Sequence, residues 1–331
     1  MNPIRQVAPL RSPPWPTLDP FLFCVHHDDR YPAGNDQMGP ASSLAGRHIG
    51  SDFSSRDGWS MYHGRDVPGF PAHPHRGFET VTLARRGRID HSDSLGATAR
   101  FGDGDVQWMT AGRGVVHSEM FPLLRRDGDN HAELFQIWLN LPRESKMVAP
   151  YFTMLWADSI PVIEREGARV TVVAGRFDGI TGPGTPPDSW AADPAHEVGI
   201  WTIALAPGGR VELALSRPDI NRALYAWQGV IEVNGQAVAP GQLLALRADV
   251  ATTLSAAAGA EVLVLQGQPI GEPVAAHGPF VMNTASEIHQ AYADYQRTRF
   301  GGWPFARPDP VHPREQGRFA RHADGRVEER R

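Results

Sequence analysis

Hydrophobic and polar residues alternate along this chain in short runs, and Gly, Pro and Asp interrupt the runs at close intervals. Alternation with period two marks strands, because successive side chains point to opposite faces of a sheet. Near residue 135 the pattern is explicit: Leu134, Gln136, Trp138 and Asn140 interleave with Glu133, Phe135, Ile137 and Leu139. Runs at 78–84, 105–112, 115–120 and 133–140 predict strands in the first half. From about residue 160 the style repeats, at 169–174, 199–205, 211–215, 223–227, 230–234, 243–246 and 261–265. Asn234-Gly235 predicts a hairpin turn, since both residues tolerate positive φ. The Gly-, Pro- and Asp-rich stretch from Gly179 to Pro194 predicts a long loop. Turn-punctuated strands of this kind predict an all-β sandwich or barrel, here in two copies.

One helix closes the ordered part. Thr284 and Glu287 have capping-box spacing, and Ile288, Ala291, Tyr292 and Tyr295 fall on one face. Gly301-Gly302 is the expected stop. Beyond Pro304 the chain is polar and Arg-rich, and a tail with little packing of its own is expected.

Composition excludes several classes. The chain has 331 residues, enough for two domains, and 41% are hydrophobic, enough for a sizeable core. No run of eighteen apolar residues predicts a membrane span, and no apolar stretch near the start predicts a signal peptide, so a cytoplasmic location is expected. Cys24 is the only cysteine, which rules out an internal disulfide and a thiolate cluster; it reads as a small buried hydrophobe. A net charge of -5 gives no footprint for direct nucleic-acid binding. Lys146 is the sole lysine, so a Schiff-base mechanism would rest on it alone.

The chemistry concentrates in two short segments. His73 and His75 stand at i and i+2, which on a strand aims both imidazoles at one face. His117 and Glu119 repeat the spacing some forty residues later. Two adjacent strands can thus offer three nitrogens and one carboxylate to a single cation, a set suited to non-haem Fe(II) or a related divalent ion. Glu79 shares the parity of His73 and His75, and on a continuous strand it would face the metal too. Other candidates read as structural. His91 lies near Asp90 and Asp93 at a turn, and His26, His27 and His63 read as polar loop residues. Trp108, Met109 and Phe78 read as packing, and Arg85, Arg86 and Arg88 as a solvated hairpin end.

Three stretches together carry a more specific signature: His73-Pro-His-Arg-Gly-Phe-Glu-Thr-Val-Thr82, His91-Ser-Asp-Ser-Leu-Gly96, and Gly104 through Thr110-Ala-Gly112 to His117-Ser-Glu119. They resemble the pirin family of bicupins. Against the general cupin pattern, Thr110-Ala-Gly112 stands where Pro-x-Gly is usual, four residues separate Gly112 from His117, and no Asn follows that His. The resemblance extends to Phe135–Pro142 and Gly278–Thr284, and runs from about residue 18 to 300; the 26–64 stretch is longer than in the shortest family members.

The resemblance implies two cupin (jelly-roll type) β-barrels packed face to face, with metal only in the first. The expected division is a metal-binding barrel with an N-terminal arm at 1–158, a barrel lacking the metal motif at 159–283, and a C-terminal helix and tail at 284–331. It implies His73, His75, His117 and Glu119 as ligands of Fe(II) or another divalent metal, with Glu79 behind them in a supporting role. Two functions are implied. One is a dioxygenase of quercetin 2,3-dioxygenase type, acting on a flavonol-like or enol substrate with O2, with Glu119 also serving as catalytic base. The other is an iron- or redox-responsive regulator acting through a protein partner.

Overall fold

The structure, a computed structural model, describes residues 2–330. The chain separates into two compact units. One comprises the chain up to Val25 with Ile137–Pro142 and Asp158–Gly271; the other comprises His26–Gln136, Arg143–Ala157 and the chain from Glu272 onward.

The unit that holds the histidine motifs is built on two antiparallel sheets. In the six-stranded sheet the order is Val327–Arg330, Arg318–Arg321, Thr98–Gly102, Arg88–Asp93, Val115–Met120, Gly69–His75. The five-stranded sheet runs Tyr151–Leu155, Asp105–Thr110, Phe78–Arg86, Asn130–Asn140, Phe21–Tyr31, of which the last two strands belong to this unit over residues 130–136 and 26–31. Their inner faces share an apolar end, where Ile89, Phe101, Leu134 and Phe152 pack together. Side chains of both sheets also meet in hydrogen bonds, Thr82 to Glu119 and Gln107 to His91, so the polar site is enclosed between them.

The second unit repeats the plan. Seven strands are ordered Ile4–Pro9, Gln242–Arg247, Asn221–Gln228, Ala260–Gly267, Gly199–Leu205, Ala168–Ala174, Val162–Arg165, and four more form a smaller sheet. Its hairpin between Ile231–Val233 and Gln236–Val238 turns on Asn234 and Gly235 at φ 50 and 81, the geometry expected of that pair. Leu224, Leu244, Val264 and Trp201 fill its interior.

Three expectations need correction. The first residues do not serve the metal barrel: Ile4–Pro9 adds to the edge of the second unit's sheet by pairing with Gln242–Arg247. The C-terminal segment is not a loose tail. Arg318–Arg321 pairs with Thr98–Gly102, and Val327–Arg330 pairs with it in turn. Its polar look misled because its polar groups have partners in the barrel: Arg318 donates to Asp105, Glu328 accepts from the Trp156 indole, and backbone carbonyls accept from Arg100. Arg100, fully buried, forks onto Asp90 at 2.6 and 2.7 Å and donates to the carbonyls of His312, Pro313 and Gln316. The helix, Ala285–Thr298, is capped by Thr284 as expected, but it ends earlier than the glycine pair. Arg299 at φ 50 takes the left-handed position that glycine usually fills.

Candidate metal centre

Gly69–His75 and Val115–Met120 are antiparallel neighbours, with His73 directly opposite His117. One extra residue is accommodated between Phe70 and His73, a bulge that re-aims the end of the strand. The ring centroids of His73, His75 and His117 lie 4.4 to 4.9 Å from one another. One ring nitrogen from each can be chosen so that all three fall within 4.8 Å. The sequence pairing of His-x-His with a later His is therefore met in space.

Protonation also suits a cation. Burial pushes the His73 imidazole down to about 4, against the opposing bond to the Pro71 carbonyl. His75 and His117 sit well below the ordinary range, first by burial and then by the neighbouring imidazoles. Neutral imidazoles are the form that binds metal. His73 Nδ1–H donates to Pro71 O at 2.8 Å, which leaves the Nε2 lone pair available. His117 is fully buried, and neither of its ring nitrogens has a hydrogen-bond partner among the described residues. A buried polar group left in that state costs roughly 1–3 kcal/mol, which a coordinated ion would offset. The residues present fit a divalent metal.

Glu119 stands two residues along the same inner face but is not part of the three-histidine group. Its oxygens are held by Thr82 Oγ1 at 2.8 Å and Gln136 Nε2 at 2.7 Å. Burial raises its pKa, with Thr82, His91 and Gln136 opposing.

Glu79 is placed elsewhere. The strand carrying His75 stops there, and Gly77 at φ 84 turns the chain into Phe78–Arg86 of the other sheet. Thr82 faces Glu119, so alternation turns Glu79 to the opposite face, where its carboxylate accepts from Thr110 at 2.6 Å. The parity argument failed because it assumed a continuous strand.

His91 is nearer the centre than its sequence neighbours suggested. It lies on Arg88–Asp93 opposite Glu119, fully buried, with its ring 5.6 Å from that of His117. Gln107 holds Nδ1 at 2.8 Å and Asp93 lies 3.2 Å from Nε2. Thr82, Gln107 and Gln136 were not singled out from sequence. Gln136 left a trace there, as a polar residue in phase with inward-facing Leu134. His26 and His27 lie on the Phe21–Tyr31 strand rather than in a loop. Lys146 is buried with Nζ donating to the carbonyls of Gly77 and Val281, and burial pushes its pKa down to about 8.

Two sheet-built units, one with a buried histidine cluster inside, define a two-domain cupin. The family model described as pirin matches residues 5–139, and the pirin C-terminal cupin domain matches residues 200–301. The chain belongs to the pirin family. It is 40% identical over 236 residues to a Pseudomonas aeruginosa protein named "Putative quercetin 2,3-dioxygenase PA3240", covering 70% of this chain and 79% of that one. A pirin-like protein of Caulobacter vibrioides is also 40% identical, over 233 residues, covering 70% and 80%. Among solved structures, a quercetin 2,3-dioxygenase from Acinetobacter baumannii superposes with a TM-score of 0.69 at 30% identity, covering 86% of this chain and 87% of that one. No helix among the described residues is long and apolar enough to cross a membrane.

Proposed function

We propose that the histidine barrel binds Fe(II) through His73, His75, His117 and Glu119, and opens the ring of a flavonol-like or related enol substrate with O2, as in quercetin 2,3-dioxygenases. The observation that carries this reading is the cluster of three imidazoles, His75 and His117 buried and His73 half-buried, of which His117 lacks any hydrogen-bond partner among the described residues, beside the buried carboxyl of Glu119. The 40% identity to the Pseudomonas relative and the likeness to the Acinetobacter structure support the reaction class. A bound divalent ion would supply Lewis acidity for a chelating enol and an open position for O2 or substrate.

The chain's own residues have separate tasks. The Pro71 carbonyl fixes the tautomer of His73 and turns its other nitrogen to the cluster. Glu119 takes the proton of the enol hydroxyl as general base. Thr82 and Gln136 hold both oxygens of that carboxylate and fix its direction. Phe78 and Phe152, both buried, pack against His75 and His91 and keep bulk water from that side.

The test is oxygen consumption with quercetin at matched iron occupancy, for the parent and for Glu119→His. His can still donate to Fe(II), but a metal-bound imidazole has no lone pair left to accept the substrate proton. The variant is expected to retain iron and to lose turnover by an order of magnitude or more, since general-base catalysis contributes roughly 10²–10⁴-fold. Equal rates would remove Glu119 from the chemistry. A loaded parent no faster than free iron would instead favour the regulatory, partner-binding role.

A further inference from the structure

Of the three histidines, His73 alone is not fully buried, and a chain of rings leads outward from it. The Phe70 centroid is 6.4 Å from His73; Tyr62 stacks on Phe70 at 5.1 Å, and His63 meets Phe70 at 5.9 Å. Phe53 completes the set, edge-on to His63 at 5.1 Å and to Tyr62 at 5.5 Å. Phe53 is 55% exposed and His63 is exposed. A single exposed phenyl needs no explanation. This one ends a contiguous aromatic path to a metal ligand.

The segment that presents it is braced rather than loose. Arg47, its guanidinium 3.4 Å over the Trp59 ring, donates to Asp52 at 2.9 Å and to the Trp59 and Arg56 carbonyls. Asp52 and Tyr62 exchange two backbone hydrogen bonds. The Tyr62 hydroxyl donates to buried Asp29 at 2.6 Å and accepts from His27 Nδ1 at 2.8 Å. Tyr62 itself holds φ 55, a left-handed conformation that an aromatic residue rarely adopts. Such strain persists where the surroundings over-determine it, and ligand clamps are among its usual locations.

We infer that Phe53, His63 and Phe70, backed by buried Tyr62, form the shelf that binds the planar aromatic body of the substrate, and that Phe53 and His63 select flat polyaromatic enols over small ones. This rests on the enol-binding reading above, and it gives the long 26–64 stretch a task. His63 Nδ1–H donates to the Gly50 carbonyl at 2.8 Å, so Nε2 presents a lone pair that can accept from a phenolic hydroxyl. Phe53, 55% exposed, offers a ring face or edge to a flat ligand.

The experiment compares quercetin with maltol, which has the same chelating enol but no further aromatic ring. Dissociation constants are measured by fluorescence quenching on zinc-loaded protein, so that binding is read without turnover. Phe53→Ala and His63→Ala are each expected to weaken quercetin binding about fivefold to tenfold, the usual worth of an aromatic contact, and Phe53→Trp to restore it. Maltol binding is expected to stay unchanged. Unchanged quercetin affinity in both variants, equal losses for both ligands, or a parent that binds neither would overturn the shelf. A parent that binds quercetin with this Phe53 dependence, yet shows no iron-dependent turnover, would uphold the shelf while sinking the dioxygenase reading.

Discussion

The two barrels of this chain use the same antiparallel construction around interiors of opposite kind. In the second, Leu224, Leu244, Val264 and Trp201 meet in one continuous apolar core. In the first, the equivalent enclosed space holds His73, His75, His117, Glu119, Gln107 and Thr82 beside an apolar cluster that includes Ile89, Phe101, Leu134 and Phe152. The contrast shows that the ladders and turns do not need the polar interior. A barrel of this class folds on apolar packing, and the histidine barrel gives up part of its interior to bring three imidazoles together. The exchange is tolerable because Glu119, His91 and Thr82 find partners there; among the described residues both ring nitrogens of His117 and Oε1 of Gln107 do not.

The largest expected effect comes from making the first barrel resemble the second. Replacing His73 and His75 together by Ala should abolish stoichiometric metal binding while the far-UV circular dichroism stays that of the parent, because the remaining core holds the strands. One tightly held ion per chain in that variant would refute the ligand assignment.

The reverse substitution probes the other barrel. Leu224→Ala removes a fully buried side chain from the second core and should cost about 2–5 kcal/mol in denaturant unfolding of that unit. Metal content should not change. A loss of metal in step with stability would mean that the two interiors are not independent.

The smallest effect concerns the rim of the histidine barrel. Burial opposes the charge of Glu133, yet the bond from His26 and the charges of Arg85 and Arg86 outweigh it and hold its carboxyl down at about 2. Because the folded pKa is depressed, this cluster's stabilisation is complete above about 4.5 and is lost as pH falls through about 2. Glu133→Gln should therefore flatten the fall in denaturant midpoint between those two values, and the gap between parent and variant should narrow toward acid. Parallel pH profiles would show that the ion cluster contributes nothing.

Much of this was legible along the chain, and the errors share a cause. Strands such as Val115–Met120 and Asn130–Asn140 were foreseen because period two is a local property. The helix cap at Thr284 was foreseen for the same reason, since it needs only residues three apart. Glu79 was misplaced because parity holds only while the strand continues, and Gly77 breaks it. Arg318 and Glu328 show why the C-terminal segment misled: a sequence of charges looks solvated until its partners, here Asp105 and the Trp156 indole, are brought to it by the fold. His91 was underrated because its neighbour across the sheet on the other side, Glu119, is distant in sequence.

The sequence by itself determined the strand-rich class, the hairpin at Asn234-Gly235, the capped helix and the family signature around His73, His75 and His117, because each depends on spacing within a few residues. Only the tertiary structure decided that His73 faces His117 across a bulge, that Thr82 and Gln136 hold Glu119, that Glu79 faces away, and that the first and last segments join different units. Those outcomes depend on register and pairing between strands far apart in the chain, and no local period encodes them.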